Sequence, residues 1–239
     1  MISAMIDFRD RHYLITGGSR GIGRAVAERL RGCGAEVWVA SRRPPEGLDV
    51  RHIPCDLTDA DQRENVVAAL DGVRLDGLLL NAGQAAALTP FPMVDAAMLR
   101  QQLELNFVAP YLLLQSLYRR RRLAREASVV VNTAHAAFYA PAATSTYAAA
   151  KAALHVGLRS AARDLRGVRV NFVIYGYVDT DLLREVVPDA ADRAGTGRVV
   201  GADEAAGAAL FLLTRAAKWM NGSSILVDAG LSLNLIPIR

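Results

Sequence analysis

The feature that most constrains this chain is an alternation. Seven short β-rich runs, YLIT (13–16), EVWVA (36–40), RHIP (51–54), GLLL (77–80), SVVVN (128–132), VRVNFVI (168–174) and SILVD (224–228), are separated by longer stretches. Those stretches have helical spacing at 22–32, 58–71, 95–123, 146–165 and 203–214. Several of the short runs are apolar at consecutive positions, so the strands they predict must be covered on both faces. Strands of that kind, each followed by a helix, fit a parallel sheet. The expected architecture is therefore α/β: a doubly wound parallel sheet of about seven strands with helices on both faces. With no repeat and no linker rich in Pro, Gly or Ser, residues 1–239 read as a single domain. The stretch 181–200 is the longest expected loop, of a size that often serves as a lid.

Composition removes several function classes. Apolar residues make up 52% and charged residues 22%, with no low-complexity tract, so the chain can bury a core. No apolar run approaches the roughly 18 to 20 residues that span a bilayer. The segment MISAMIDFRDRH carries charges where a signal peptide needs its apolar stretch. Cys33 and Cys55 lack metal-type spacing, which predicts reduced thiols, no metal site and a cytoplasmic setting. The net charge of +4 raises the question of nucleic acid, but no stripe of interleaved aromatic and basic residues supports it. One basic cluster stands out: Arg119, Arg120, Arg121, Arg122 and Arg125. It reads either as a solvated helix end or as a docking patch for an acidic partner.

Two stretches carry chemistry. TGGSRGIG, Thr16 to Gly23, falls between the first strand and the first helix. Glycines at 17, 21 and 23 let the backbone turn sharply and approach a pyrophosphate at the helix N-terminus. Further along, Tyr147 and Lys151 stand four residues apart, on one face of a helix. A phenol titrates near 10, and a neighbouring cation stabilises its anion. The chain has 26 arginines and two lysines, so a lysine at this place is informative.

Taken in order, these stretches resemble the short-chain dehydrogenase/reductase family over essentially the whole chain. TGGSRGIG resembles the family's cofactor turn, and CDLTD (55–59) the segment that places an aspartate against adenine. NAG (81–83) resembles the motif after the fourth strand, and ELNF (104–107) the helix segment with the catalytic asparagine. YAAAK (147–151) resembles the Tyr-x-x-x-Lys pair, and NGSSILVDAG (221–230) the closing strand.

The resemblance implies a nicotinamide cofactor held by Gly17, Ser19, Arg20, Gly21, Ile22 and Gly23. Ser41, Arg42, Asp56, Leu57, Asn81, Ala82 and Gly83 would join them, as would Tyr147, Lys151, Gly176, Val178 and Thr180. An acid at the end of the second strand would bind a ribose 2′-hydroxyl and repel a 2′-phosphate. Here the chain reads Ala40, Ser41, Arg42, Arg43, and a guanidinium can grip a phosphate with two hydrogen bonds. Arg42, with Arg20 close by in the turn, therefore predicts NADPH/NADP+. The resemblance further implies that Tyr147 gives a proton to a carbonyl oxygen, Lys151 supports it, and Asn106 holds a water linking the lysine to solvent.

Two departures accompany the match. The family places a serine hydroxyl on the substrate carbonyl, and a lost oxyanion donor costs on the order of 100- to 1000-fold. Counting back from Pro141 puts Thr133 at that position, and counting back from Tyr147 puts Ala134 there. Counting along the rigid strand from Asn132 gives His135, and length changes collect in loops, so the strand count decides. An imidazole can donate to an oxyanion. Two readings of His135 stand: a replacement donor, or a space-filling residue in a site no longer used for reduction. The second departure is Tyr175 where the family has proline. Tyr175 with Phe138, Tyr139 and Tyr177 predicts an aromatic rim for a flat or extended apolar substrate.

The expected function is NADPH-dependent reduction of a ketone or 3-oxoacyl group. The substrate would be free or borne on an acyl carrier, in fatty-acid-, polyene- or polyketide-type biosynthesis. The family's usual pairing of helices 95–123 and 146–165 implies a homodimer or tetramer. The alternatives are an inactive or weakly active partner subunit in a hetero-oligomer with a related reductase, or a non-redox member of the family.

Overall fold

The computed structural model describes residues 7–190 and 199–235. Its strands are β1 (His12–Thr16), β2 (Glu36–Ser41), β3 (Arg51–Pro54), β4 (Leu75–Leu80), β5 (Leu123–Ala134), β6 (Val168–Tyr175), β7 (Val178–Asp179), β8 (Val200–Gly201) and β9 (Ser224–Val227). Seven of them form one sheet in the order β3-β2-β1-β4-β5-β6-β9, with every neighbouring pair parallel. The short β7 and β8 pair separately. The chain runs outward from β1 to β3, then returns to lay β4 on the other side of β1. That reversal opens a crevice at the carboxyl ends of β1 and β4.

The helices are α1 (Gly21–Gly32), α2 (Ala60–Ala69), α3 (Ala96–Leu103), α4 (Ala109–Arg119), α5 (Ala136–Tyr139), α6 (Ser145–Ala161), α7 (Asp181–Val186) and α8 (Ala202–Leu213). Alternation along the strands divides the core in two. Leu14, Val129, Val131 and Phe172 pack with α2, α4 and α6 on one face. Ile15, Val37, Val39, Val130 and Val173 pack with α1 and α8 on the other. Double coverage is why these strands read as unbroken apolar runs. Among the described residues, no helix is long and apolar enough to cross a membrane.

Three expected boundaries move. The helix expected over 95–123 is two helices joined by a π-helical turn, Glu104–Val108. Pro110 follows it, and a proline lacks the N–H that would meet the Asn106 carbonyl in an ordinary helix. α4 ends at Arg119, and Arg121 has φ +55. The strand expected at 128–132 runs from Leu123 to Ala134: Leu123 pairs with Leu75 of β4, and β6 pairs with residues 127–134. The loop expected over 181–200 begins as α7, whose first turn is capped by the Thr180 hydroxyl accepting from the Leu183 N–H at 3.3 Å. Residues 191–198 of that stretch lie outside the described residues.

Candidate active site

The crevice above the strand ends has a volume of about 1100 Å³. Its floor is backbone. Gly17 and Gly21 have φ +67 and +57, a region that favours glycine. A Cβ on Gly17 would stand 2.8 Å from the Ala82 Cα, so the turn presses directly on the loop after β4. Ser19, Arg20 and Ile22 complete this side of the crevice. Arg20 caps α1 without a side-chain hydrogen bond, and the first turn has no acidic residue. The helix therefore presents its free N–H groups to an anion, and the turn fits a pyrophosphate.

Gly23 has another role. It does not line the crevice; a Cβ there would meet the Asn81 Nδ2 at 2.4 Å and the Gly17 carbonyl oxygen at 2.5 Å. Its bareness lets Asn81 donate to the carbonyls of Thr16 at 3.1 Å and Gly17 at 3.0 Å. The buried Thr16 hydroxyl accepts from the N–H groups of Asn81 and Ala82 and donates to the Leu79 carbonyl. Asn132 donates from Nδ2 to the Asn81 Oδ1 at 2.8 Å. Thr16 and Asn132 thus lock the turn to β5. Sequence reasoning missed both, since a threonine and an asparagine at strand ends have no distinctive spacing.

Toward the far end, Ser41, Arg42, Asp56 and Leu57 line the crevice, with Ala82 and Gly83 beside them. The Ser41 hydroxyl donates to the Arg43 carbonyl at 2.7 Å, closing the loop on which exposed Arg42 stands. Asp56 accepts from the Thr58 hydroxyl and N–H, and these bonds hold its carboxyl below the usual range. Buried Arg63 donates from Nη1 to the Leu57 carbonyl at 2.5 Å and lies 3.6 Å from the Glu104 carboxylate. The Arg20 guanidinium faces Asp181 and Glu185 of α7.

The chemical groups meet at the other end. Tyr147 and Lys151 project from α6, with the Lys151 Nζ 5.9 Å from the Tyr147 ring centre. Nζ donates to the Asn132 carbonyl at 3.2 Å. Burial pushes the lysine down to about 8 and the tyrosine up to about 12. At neutral pH the phenol keeps its proton beside a charged ammonium. Asn106 sits in the π-helical turn, fully buried. Its amide donates to the Gln84 carbonyl at 2.9 Å and the Gln102 carbonyl at 3.1 Å, and accepts from the Gln84 N–H at 3.2 Å. The side chain is thus a backbone clamp. Gly83 completes the contact, because a Cβ there would stand 2.8 Å from the Asn106 Oδ1 and 3.1 Å from the Lys151 Nζ.

The three candidates for the serine position part company. Thr133 is buried, and its hydroxyl donates to the Val173 carbonyl at 3.2 Å. Ala134 packs with Ala136, Ala148 and Tyr147 and has no donor. His135 extends the β5–β6 ladder by one bond, its N–H donating to the Tyr175 carbonyl at 2.8 Å. Its ring lines the crevice, 5.5 Å from the Tyr177 ring and edge-on to it. No described side chain bonds its nitrogens. Burial lowers its pKa, against the opposing charge of Asp228.

The expected aromatic rim is corrected. Tyr175 shares a strand face with Val173, so its ring enters the core on the α8 side and its hydroxyl donates to the Ala205 carbonyl at 3.0 Å. Phe138 is half exposed outside the crevice and meets His155 edge-on at 4.9 Å. Tyr139 lies beside His135 but not on the crevice wall. Tyr177 remains, together with Gly176, Val178 and Thr180, and Tyr175 borders the crevice while its hydroxyl is spent in the core. The wall facing them is small and apolar instead: Ala85, Ala86, Ala87 and Leu88, then Leu182, Leu183, Val186 and Val187.

A doubly wound sheet with an anion-ready turn and a tyrosine–lysine pair in one crevice has the architecture of a nicotinamide-dependent oxidoreductase. Comparison with known proteins agrees. A family model described as enoyl-(acyl carrier protein) reductase matches residues 17–232. The cis-4-hydroxycyclohexanecarboxylate dehydrogenase of Sinomonas cyclohexanicum is 31% identical over 93% of this chain and 97% of its own. The 3-oxoacyl-[acyl-carrier-protein] reductase MabA of Mycobacterium tuberculosis is 29% identical over 95% and 94%. Among solved structures, a 3-oxoacyl (acyl-carrier-protein) reductase from Agrobacterium tumefaciens C58 with NADP bound superposes with a TM-score of 0.85. It is 28% identical, over 96% of this chain and 97% of the other. The chain belongs to the short-chain dehydrogenase/reductase family of oxidoreductases.

Proposed function

We propose that the protein is an NADPH-dependent reductase of a ketone or 3-oxoacyl group. The observation that carries this reading is Tyr147 beside buried Lys151, opening into the same crevice as the uncapped turn of α1. A bound nicotinamide supplies the hydride for the carbonyl carbon. Tyr147 transfers its phenolic proton to the carbonyl oxygen as the bond to hydrogen forms, and Lys151 stabilises the phenolate left behind. His135 donates to the developing oxyanion from the serine's place. Arg42, and the absence of an acid at the end of β2, support the 2′-phosphate. The small apolar wall supports a neutral acyl or cyclic substrate.

Delivery by an acidic carrier needs a second subunit. Arg120 and Arg122 are paired with Glu64 and Asp71, while Arg119, Arg121 and Arg125 are exposed. They stand at the start of β5, whose 12 residues separate them from the crevice by roughly 36 Å. Antiparallel pairing of α4 and α6 between two subunits brings one subunit's arginines toward the other's crevice. In this reading the protein acts as a cytoplasmic homodimer or tetramer.

The test is NADPH oxidation with a 3-oxoacyl thioester and an activated cyclic ketone, using wild type and Tyr147→Phe. The variant should lose about 100- to 10,000-fold in turnover while binding NADPH as wild type does by calorimetry. Full activity in Tyr147→Phe overturns the mechanism. A wild type inert on both substrates makes the chain a cofactor-binding partner subunit instead.

A further inference from the structure

We propose that Asp181 and Glu185 set the protein's discrimination between the two nicotinamide cofactors, by competing with the 2′-phosphate for Arg20. The inference rests on the NADPH reading above.

Arg20 is the last residue before α1, inside the glycine turn. Its Nη1 lies 3.4 Å from the Asp181 Oδ2 and 3.6 Å from the Glu185 Oε1. Asp181 and Glu185 are one helical turn apart on α7, so a single guanidinium spans both. All three side chains are more than half exposed, at 57%, 51% and 63%. Exposed pairs of this kind are weak and exchange readily. Asp181 also keeps a cation when Arg20 leaves, since Arg184 donates to its Oδ1 at 3.1 Å. Arg184 itself is steadied by Asp179 at 2.8 Å. Release of Arg20 therefore leaves Asp181 paired and returns only the exposed Glu185 carboxylate to solvent.

A phosphate dianion offers Arg20 a stronger, bidentate partner than either carboxylate. NADH carries no such group, and leaves Arg20 on α7. The carboxylates thus act against NADPH alone, through the arginine they occupy. The contact has a mechanical side: α7 also holds Leu182, Leu183 and Val186 against the substrate half. Anchoring of that wall to the turn then depends on which cofactor is bound.

The test is calorimetry of NADPH and NADH with wild type, Asp181→Asn/Glu185→Gln, Arg20→Ala and the triple variant. The carboxamides keep shape and exposure, so folding is preserved, and circular dichroism checks it. The double variant should bind NADPH about three- to tenfold tighter and NADH within about twofold of wild type. In the Arg20→Ala background the same double change should leave NADPH binding unaltered. Equal tightening of both cofactors means the carboxylates repel the shared pyrophosphate, and overturns the proposal; so does no change in either. A wild type that favours NADH overturns the cofactor reading and this inference together. A wild type that favours NADPH, with a ratio the double variant does not move, overturns this inference alone.

Discussion

The two halves of the crevice are built from different material. The cofactor half is mostly backbone: Gly17, Gly21, the open N–H groups of α1 and the carbonyls that Asn81 ties down. The substrate half is made of side chains at the ends of β5 and β6, where one step along a strand moves a group to the opposite face. Thr133, Ala134 and His135 all line the crevice, but the Thr133 hydroxyl is spent on β6, Ala134 packs on Tyr147 and the His135 ring stands against Tyr177. A backbone site tolerates sequence change so long as its glycines remain. A side-chain site can be rewritten by a single residue.

That contrast can be broken most sharply at His135. If it is the oxyanion donor, His135→Ala should lower turnover by about 100-fold or more, with NADPH binding unchanged. His135→Ser should retain or raise activity and remove any rate dependence on a group titrating near neutrality. A wild-type rate that survives His135→Ala would make the residue a filler, and the two halves would then differ in use as well as in construction.

A smaller effect tests the assignment of Tyr175 to the core. Tyr175→Phe removes the buried hydrogen bond to the Ala205 carbonyl, which should cost about 1 kcal/mol and lower the melting temperature by about 2–4 °C. Turnover and KM should not move. A selective rise in KM would return the ring to the substrate wall.

The smallest effect concerns pH. His135 and His155 both have pKa values below the ordinary 6.5, with burial the main cause and the charge of Arg159 adding to it at His155. The unfolded chain therefore takes up protons first as pH falls, so stability is held above about 6.5 and lost below it. His155, whose Nδ1 is buried without a partner between Phe138 and Phe172, should carry part of that loss. His155→Leu should flatten the difference in melting temperature between about pH 7.5 and pH 5.5. An unchanged slope would assign the loss elsewhere.

Much of the fold was legible because both faces of the sheet are buried. The valines of 128–132 and the glycines of TGGSRGIG leave few alternatives, and parallel pairing follows from the helices between the strands. Arg125 and Glu126 hid the start of β5, where Leu123 pairs with Leu75 of β4, and Glu126, with φ +70, interrupts the strand before pairing with β6 begins at Ala127. The π-helical turn was hidden for a similar reason: nothing in ELNF departs from helical spacing, and the cause lies downstream in Pro110. The residues expected around a cofactor line one crevice, except that Gly23 packs beneath the turn; the guanidinium of Arg20 turns to α7. The aromatic rim failed because composition cannot say which way Tyr175 or Phe138 turns.

Gly83 carries a consequence for assembly. Its missing carbon lets residues 83, 106 and 151, from three separate segments, touch at one point. Such contacts are non-local, and none of the segments can reach its position before the others. The junction of Lys151 with Asn106 and the loop after β4 therefore forms only when all three segments have docked. Whatever opens the loop after β4 releases Asn106 and Lys151 in the same event, so amide exchange at these three places should report one cooperative opening.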